Sequence, residues 1–260
     1  MNSPSAPLGI LLGASNLRRG LTTAVAEARR RLGCDARLAL ALGHGRSYAM
    51  ESTVLVRRLP GILQSGLWSA LRQQGMNVPV WALITDVGND LIYGVDEDRV
   101  VGWVQECLER LPAHARVSLA LPPLASIKRL GPLRFYMFVN VLFPGRKHDY
   151  DDLVARALRL HDLLQRLAAD PSNGRVTAIE PASEWYGFDP IHIRRTHQRS
   201  AWATLLEPWG EGPDAEPAAR LTTADKARLL CARPESSRWL GLELGQAQPR
   251  RIGETQVGLY

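Results

Sequence analysis

The chain is poor in cysteine, almost without lysine, and has no long apolar run. Its three cysteines, Cys34, Cys107 and Cys231, are odd in number and far apart. That spacing excludes a disulfide framework and a clustered metal site, and leaves them as small apolar residues in a reduced compartment. Only Lys128, Lys147 and Lys226 supply lysine, so arginine carries nearly all of the net charge of +6. The arginines are scattered and do not interleave with aromatics as a nucleic-acid groove would show. No apolar stretch approaches the ~20 residues of a membrane span. The residues ahead of the first apolar run, 8–12, include no basic side chain of the kind a secretory leader carries. The expectation is a cytoplasmic protein that takes a small molecule, with no nucleic-acid partner and no membrane span.

The sequence has 260 residues and an apolar fraction of 45%. That is enough for one large domain, or one domain with an appendage. Apolar runs alternate with amphipathic stretches, the signature of a parallel sheet with helices on both faces. Strands are expected at 8–12, 36–42, 78–85, 117–121 and 175–179. Helices are expected at 21–32, 60–74, 96–111, 150–169 and 197–206, and a mixed stretch at 133–142 also reads as helix. Asp149 is placed to cap the long helix at 150–169. The character changes near Gly210. Residues 1–209 read as a catalytic domain. Residues 210–260 read as an extension with a Gly-, Pro- and acid-rich linker, a helix at 221–230 and a final stretch of poor periodicity.

Ligands of parallel α/β sheets sit at the carboxyl ends of the strands. Four marked segments fall there: 13–16 (Gly-Ala-Ser-Asn), 43–47 (Gly-His-Gly-Arg-Ser), 86–90 (Asp-Val-Gly-Asn-Asp) and 189–192 (Asp-Pro-Ile-His). Each alone is ordinary: a turn with a helix cap, a glycine loop, a turn, and an Asp-capped helix start with Pro190 at its first position. Together they bring a serine, amide donors, a carboxylate and an imidazole to one edge. Competing motifs fail. Residues 13–20 lack the Lys-Ser/Thr ending of a phosphate loop, and Tyr48 stands where a dinucleotide fingerprint needs its third glycine. The segment 13–17 lacks the second glycine of a nucleophile elbow. His148 and His161 have no ligand-spaced partners, so no metal or organic cofactor is called for.

Over residues 8–207 the pattern resembles the SGNH/GDSL hydrolases, a family of serine esterases, lipases and deacylases. Gly13-Ala14-Ser15-Asn16 matches the first block, with Ala14 for the usual acid and Asn16 for the usual leucine. Gly45 falls on the second block, with Gly43 a near rival. Gly88-Asn89-Asp90 matches the third with a shifted spacer, and Asp189 and His192 match the final Asp-x-x-His. The resemblance implies an α/β fold, a three-layer α/β/α sandwich on a flavodoxin-like five-stranded parallel sheet. It implies that Ser15 is the nucleophile, His192 the base and then the acid, and Asp189 the residue that orients the imidazole. The oxyanion hole would comprise the Ser15 and Gly45 amides and the Asn89 side chain. The implied activity is cleavage of carboxylic esters through an acyl-enzyme. The same residues would serve an acyltransferase in which an alcohol replaces water, and a non-catalytic protein would use the cleft for binding alone.

Arg18, Arg19, Arg46, Arg194 and Arg195 lie near these segments in sequence. Arg46, beside Gly45, is the one expected to line a mouth that attracts an anionic group. Trp185-Tyr186-Gly187-Phe188 runs into Asp189 and is expected to buttress its loop.

Overall fold

A computed structural model describes residues 6–54, 56–129, 131, 132, 136, 149–210 and 220–260. All of the stretch 133–142 except Tyr136, together with His148 and most of the linker expected after Gly210, lies outside these residues.

Five parallel strands form the centre: β1 (Leu8–Leu12), β2 (Arg37–Ala41), β5 (Val80–Ile84), β6 (Arg116–Ala120) and β7 (Val176–Ile179). Their spatial order, β2-β1-β5-β6-β7, is the doubly wound order of flavodoxin-like sheets. All five residues of β1 are buried, as a central parallel strand covered on both faces requires. Its side chains alternate between two cores. Leu8, Ile10 and Leu12 join helices α3 (Leu67–Gln74), α5 (Glu97–Arg110) and α7 (Tyr150–Ala169) on one face. Leu11 joins α2 (Leu21–Leu32), α8 (Gln198–Leu205) and α9 (Thr223–Cys231) on the other. In α2 the buried set Leu21, Ala24, Val25, Ala28 and Leu32 follows the helical repeat. Asp149 caps α7 by accepting from the Asp152 amide at 2.9 Å, as expected. No helix among the described residues is long and apolar enough to cross a membrane.

Two local readings change, and one segment without a reading, 51–59, carries structure. The helix expected at 60–74 is a short 3₁₀ turn, Ile62–Gln64, followed by α3. The Ile62 carbonyl is taken by the Ser65 hydroxyl at 2.7 Å and the Trp68 indole N–H at 2.9 Å, and Ser65 is extended, so no continuous helix forms. The loop after residue 50 holds an antiparallel hairpin, β3 (Ser52–Val54) and β4 (Arg57–Leu59). The poorly periodic final stretch, 241–260, holds three strands, β9 (Leu242–Leu244), β10 (Arg250–Ile252) and β11 (Thr255–Leu259), and β8 (Ser237–Trp239) precedes it. β11 runs parallel to β2 and β10 antiparallel to β11, which makes the main sheet seven-stranded and mixed. β8 and β9 extend the hairpin into a second sheet of order β3-β4-β8-β9. The C-terminal strands thus belong to both sheets. Thr222 caps α9 in a reciprocal box with Asp225.

Candidate active site

The four marked segments meet at the carboxyl edge of the central strands. Ser15 opens the short helix α1 (Ser15–Arg19) directly after β1. Gly13 makes the turn possible. A Cβ there would sit 2.7 Å from the Thr85 methyl and 3.3 Å from an Asp86 carboxylate oxygen. Asp86 follows β5 with φ of 61°, a left-handed conformation that Asp tolerates better than most side chains. Its Oδ2 accepts from the amides of Ala14 at 2.7 Å, Asn16 at 3.1 Å and Leu17 at 3.3 Å, and leaves out the amide of Ser15 between them.

Asn16 fastens this turn to the segment that carries the acid and the imidazole. Its amide nitrogen donates to Asp86 Oδ1 and to the Ile191 carbonyl, both at 2.8 Å, and its Oδ1 accepts from the Ile193 amide at 2.8 Å. The consequence is registration. Ser15 Oγ lies 2.9 Å from His192 Nε2, and His192 Nδ1 lies 2.7 Å from Asp189 Oδ2. Asp189 Oδ1 also accepts from the Ile191 and His192 amides at 3.2 and 3.1 Å, so the Asp cap read from sequence is present although no helix follows it. Burial opposes the charge of Asp189. The His192 hydrogen bond and charge and the two amides outweigh it and hold the carboxyl below its ordinary range. Asn16→Ala would strand three partners and is expected to cost about 3 kcal/mol in urea unfolding, since each orphaned buried group costs ~1–3 kcal/mol.

Asn89 lines the same cavity as Ser15, and its Nδ2 is buried with no hydrogen-bond partner among the described residues. Gly45 takes φ of 59°, which favours glycine, and its carbonyl accepts from the Tyr93 hydroxyl at 2.6 Å. The loop that carries Gly45 is braced from below. Asp90 Oδ2 accepts from the Tyr48 amide at 3.0 Å, and the Tyr48 hydroxyl donates to the Thr85 carbonyl at 2.7 Å. Burial pushes Asp90 up to about 6, while hydrogen bonds from Ser47 and Tyr48 pull it down. Between its ordinary value of 3.8 and about 6, the folded chain holds a proton that the unfolded chain has released. This group therefore removes stability as pH rises through that window, by about 3 kcal/mol in full. The stability of Asp90→Asn relative to wild type should rise between pH 4 and pH 7 in paired denaturant titrations. A pH-independent difference would contradict this.

Arg46 does not line the mouth as expected. It is fully buried, its Nε donates to the Pro60 carbonyl at 3.0 Å, and its Nη1 donates to Leu42 and to the Tyr260 main-chain oxygen. Burial, then the charge of Arg57, lower it to about 9. The cavity beside Ser15 and Asn89 has a volume of about 130 Å³ and is mainly apolar, with Val87, Leu91, Pro122, Trp185 and Ile191 among its walls. Trp185 and Tyr186 are buried there, whereas Phe188 is 57% exposed.

Sequence reading missed the fastening roles of Asp86, Asn16 and Asp90. Asn16 stood only as a departure from the family block. A signal for Asp86 lay in its place at the end of a fully apolar strand, facing the serine turn.

The fold is shared with proteins described as esterases. One solved structure is of a carbohydrate acetylesterase family member from Sinorhizobium meliloti, 16% identical, with a TM-score of 0.52 over 77% of this chain and 95% of that one. Another, described as an arylesterase from Agrobacterium tumefaciens, is 16% identical, with a TM-score of 0.50 over 77% of this chain and 97% of that one. No protein-family model matches the chain, and no curated protein matches its sequence.

Proposed function

We propose that this chain is a serine hydrolase of SGNH/GDSL type that cleaves short-chain carboxylic esters through an acyl-enzyme on Ser15. The observation that carries the reading is the continuous hydrogen-bond line from Ser15 Oγ through His192 to Asp189, at 2.9 and 2.7 Å. It is supported by the descriptions of the two structures that share its fold, an acetylesterase and an arylesterase.

On this reading Ser15 Oγ attacks the acyl carbon as its proton passes to His192 Nε2. Asp189 accepts from Nδ1–H, fixes the tautomer and stabilises the imidazolium. The negative oxygen of the tetrahedral intermediate is held by the Ser15 and Gly45 amides and by Asn89 Nδ2. The last of these is a buried donor with no other partner among the described residues. His192 Nε2–H then protonates the departing alcohol oxygen. Water, activated by the same nitrogen, attacks the acyl-enzyme and releases the acid and Ser15.

The cavity sets the acyl length. A cavity near 150 Å³ admits benzene, so about 130 Å³ suits an acyl chain of a few carbons. Across 4-nitrophenyl esters, kcat/KM is expected to peak at acetate to butyrate and to fall at least about tenfold by octanoate. Methylenes forced against the end of a filled cavity cost ~1–3 kcal/mol. A flat or rising profile would contradict the cavity argument, and no turnover of any ester or acetylated sugar would contradict the esterase reading.

A further inference from the structure

The apolar cavity lies on one flank of Ser15, and among the described residues no arginine or lysine lines it. The charges gather elsewhere. Arg18 and Arg19 follow Ser15 by three and four residues on α1 and so share its side of the helix. Arg19 Nη1 lies 3.5 Å from Asp189 Oδ2. His44 is exposed next to Gly45. Arg57 sits on β4, half-buried, and pairs with Trp239 of β8 in the second sheet.

β4 packs on the loop that carries His44 and Gly45: a Cβ on Gly43 would clash with a Leu59 methyl, and Arg57, two residues before Leu59, shares its face of the strand. Partial burial, then the charges of Arg18, His192, Arg57 and Arg19, lower His44. Burial, then Arg18, lowers Arg57. Carboxylates do little to offset them. Arg18 donates to the Leu230 carbonyl at 3.2 Å, Asp189 is shared between His192 and Arg19, and the Arg57 guanidinium has no ion pair or hydrogen bond among the described residues. Behind them Arg46 is fully buried and bonded to the carbonyls of Pro60 and Leu42 and to the Tyr260 main-chain oxygen. A partly desolvated cluster of one sign is costly, and a bound anion relieves it. His192 must hand its proton to the leaving alcohol, and Arg19 on α1 lies 3.5 Å from Asp189, the hydrogen-bond partner of His192. The alcohol therefore departs toward the cluster while the acyl chain occupies the apolar cavity.

Building on the esterase reading, we propose that the alcohol part of the substrate carries an anion, a carboxylate, phosphate or sulfate, held by Arg57 and Arg18 beside the reacting ester. The probes are phenyl acetate and 4-acetoxybenzoate, each rate divided by its uncatalysed hydrolysis. Wild type should favour the anionic ester about tenfold or more, as one charge-assisted contact would supply. Arg57→Gln should erase most of that preference, as should about 1 M salt, where the screening length is ~3 Å. Calorimetric titration with 4-hydroxybenzoate and with phenol reads the same subsite without turnover. Wild type should bind the carboxylate more tightly, and Arg57→Gln should not. Equal preference and equal binding in wild type and variant would overturn the anion site. Loss of all turnover with the binding difference intact would overturn the esterase reading and leave the anion site standing.

Discussion

Ser15→Ala is expected to lower kcat on the order of 10⁶-fold, the scale seen when the nucleophile of such a unit is removed. The size follows from the geometry. The proton on Ser15 Oγ has an acceptor 2.9 Å away in His192 Nε2, and that imidazole has Asp189 2.7 Å from its other nitrogen. Alanine deletes the first member, and the remaining two have nothing to activate. His192→Ala should cost nearly as much, and the double variant little more than either alone, because the residues act as one unit. Steady-state kinetics on a short aryl ester, with KM followed in parallel, checks both. Additive losses in the double variant would mean that Ser15 and His192 do separate jobs.

Asn89→Ala is expected to lower kcat by ~10²–10³, the usual cost of one oxyanion donor, with KM little changed. The accompanying stability change is the more telling result. Nδ2 of Asn89 is buried without a partner among the described residues, and such a group costs ~1–3 kcal/mol in the resting protein. Deleting it should leave the melting temperature unchanged or raise it. A donor kept at a cost to stability is explained by an oxygen that arrives only during the reaction. Thermal melts run beside the kinetics decide the matter. A drop of several degrees with kcat intact would make Asn89 a structural residue.

Much of the fold was legible because it rests on long, regular patterns. The buried strands Leu8–Leu12 and Val80–Ile84 read as apolar runs, and Tyr150–Ala169 combined a helical repeat with a true Asp149 cap. The final strands were not legible. Ser237–Trp239, Leu242–Leu244 and Arg250–Ile252 are three residues each, too short to show an alternation, and what anchors them lies far away in sequence: β8 pairs with β4, and β11, the partner of β10, pairs with β2. The break at Ser65 escaped for a related reason: it depends on a serine hydroxyl and a tryptophan N–H competing for one carbonyl.

The candidate site shows the same division. Ser15, Asn89, Asp189 and His192 were found as residue types at strand ends, and the structure brings Ser15, His192 and Asp189 into one hydrogen-bond line. What holds them there was invisible, because Asn16 and Asp86 act through contacts spanning some 70 residues or more. Arg46 failed as a mouth residue because sequence adjacency to Gly45 says nothing of direction. Its side chain turns inward to the carbonyls of Leu42 and Pro60.

The central claim is that Ser15 is a nucleophile activated by His192. Its most direct test is reaction with a fluorophosphonate probe, followed by peptide mass spectrometry. The predicted result is one adduct on Ser15 in wild type, none in Ser15→Ala, and labelling slowed by orders of magnitude in His192→Ala. No adduct in folded wild type, or equal labelling of Ser15→Ala, would contradict the account.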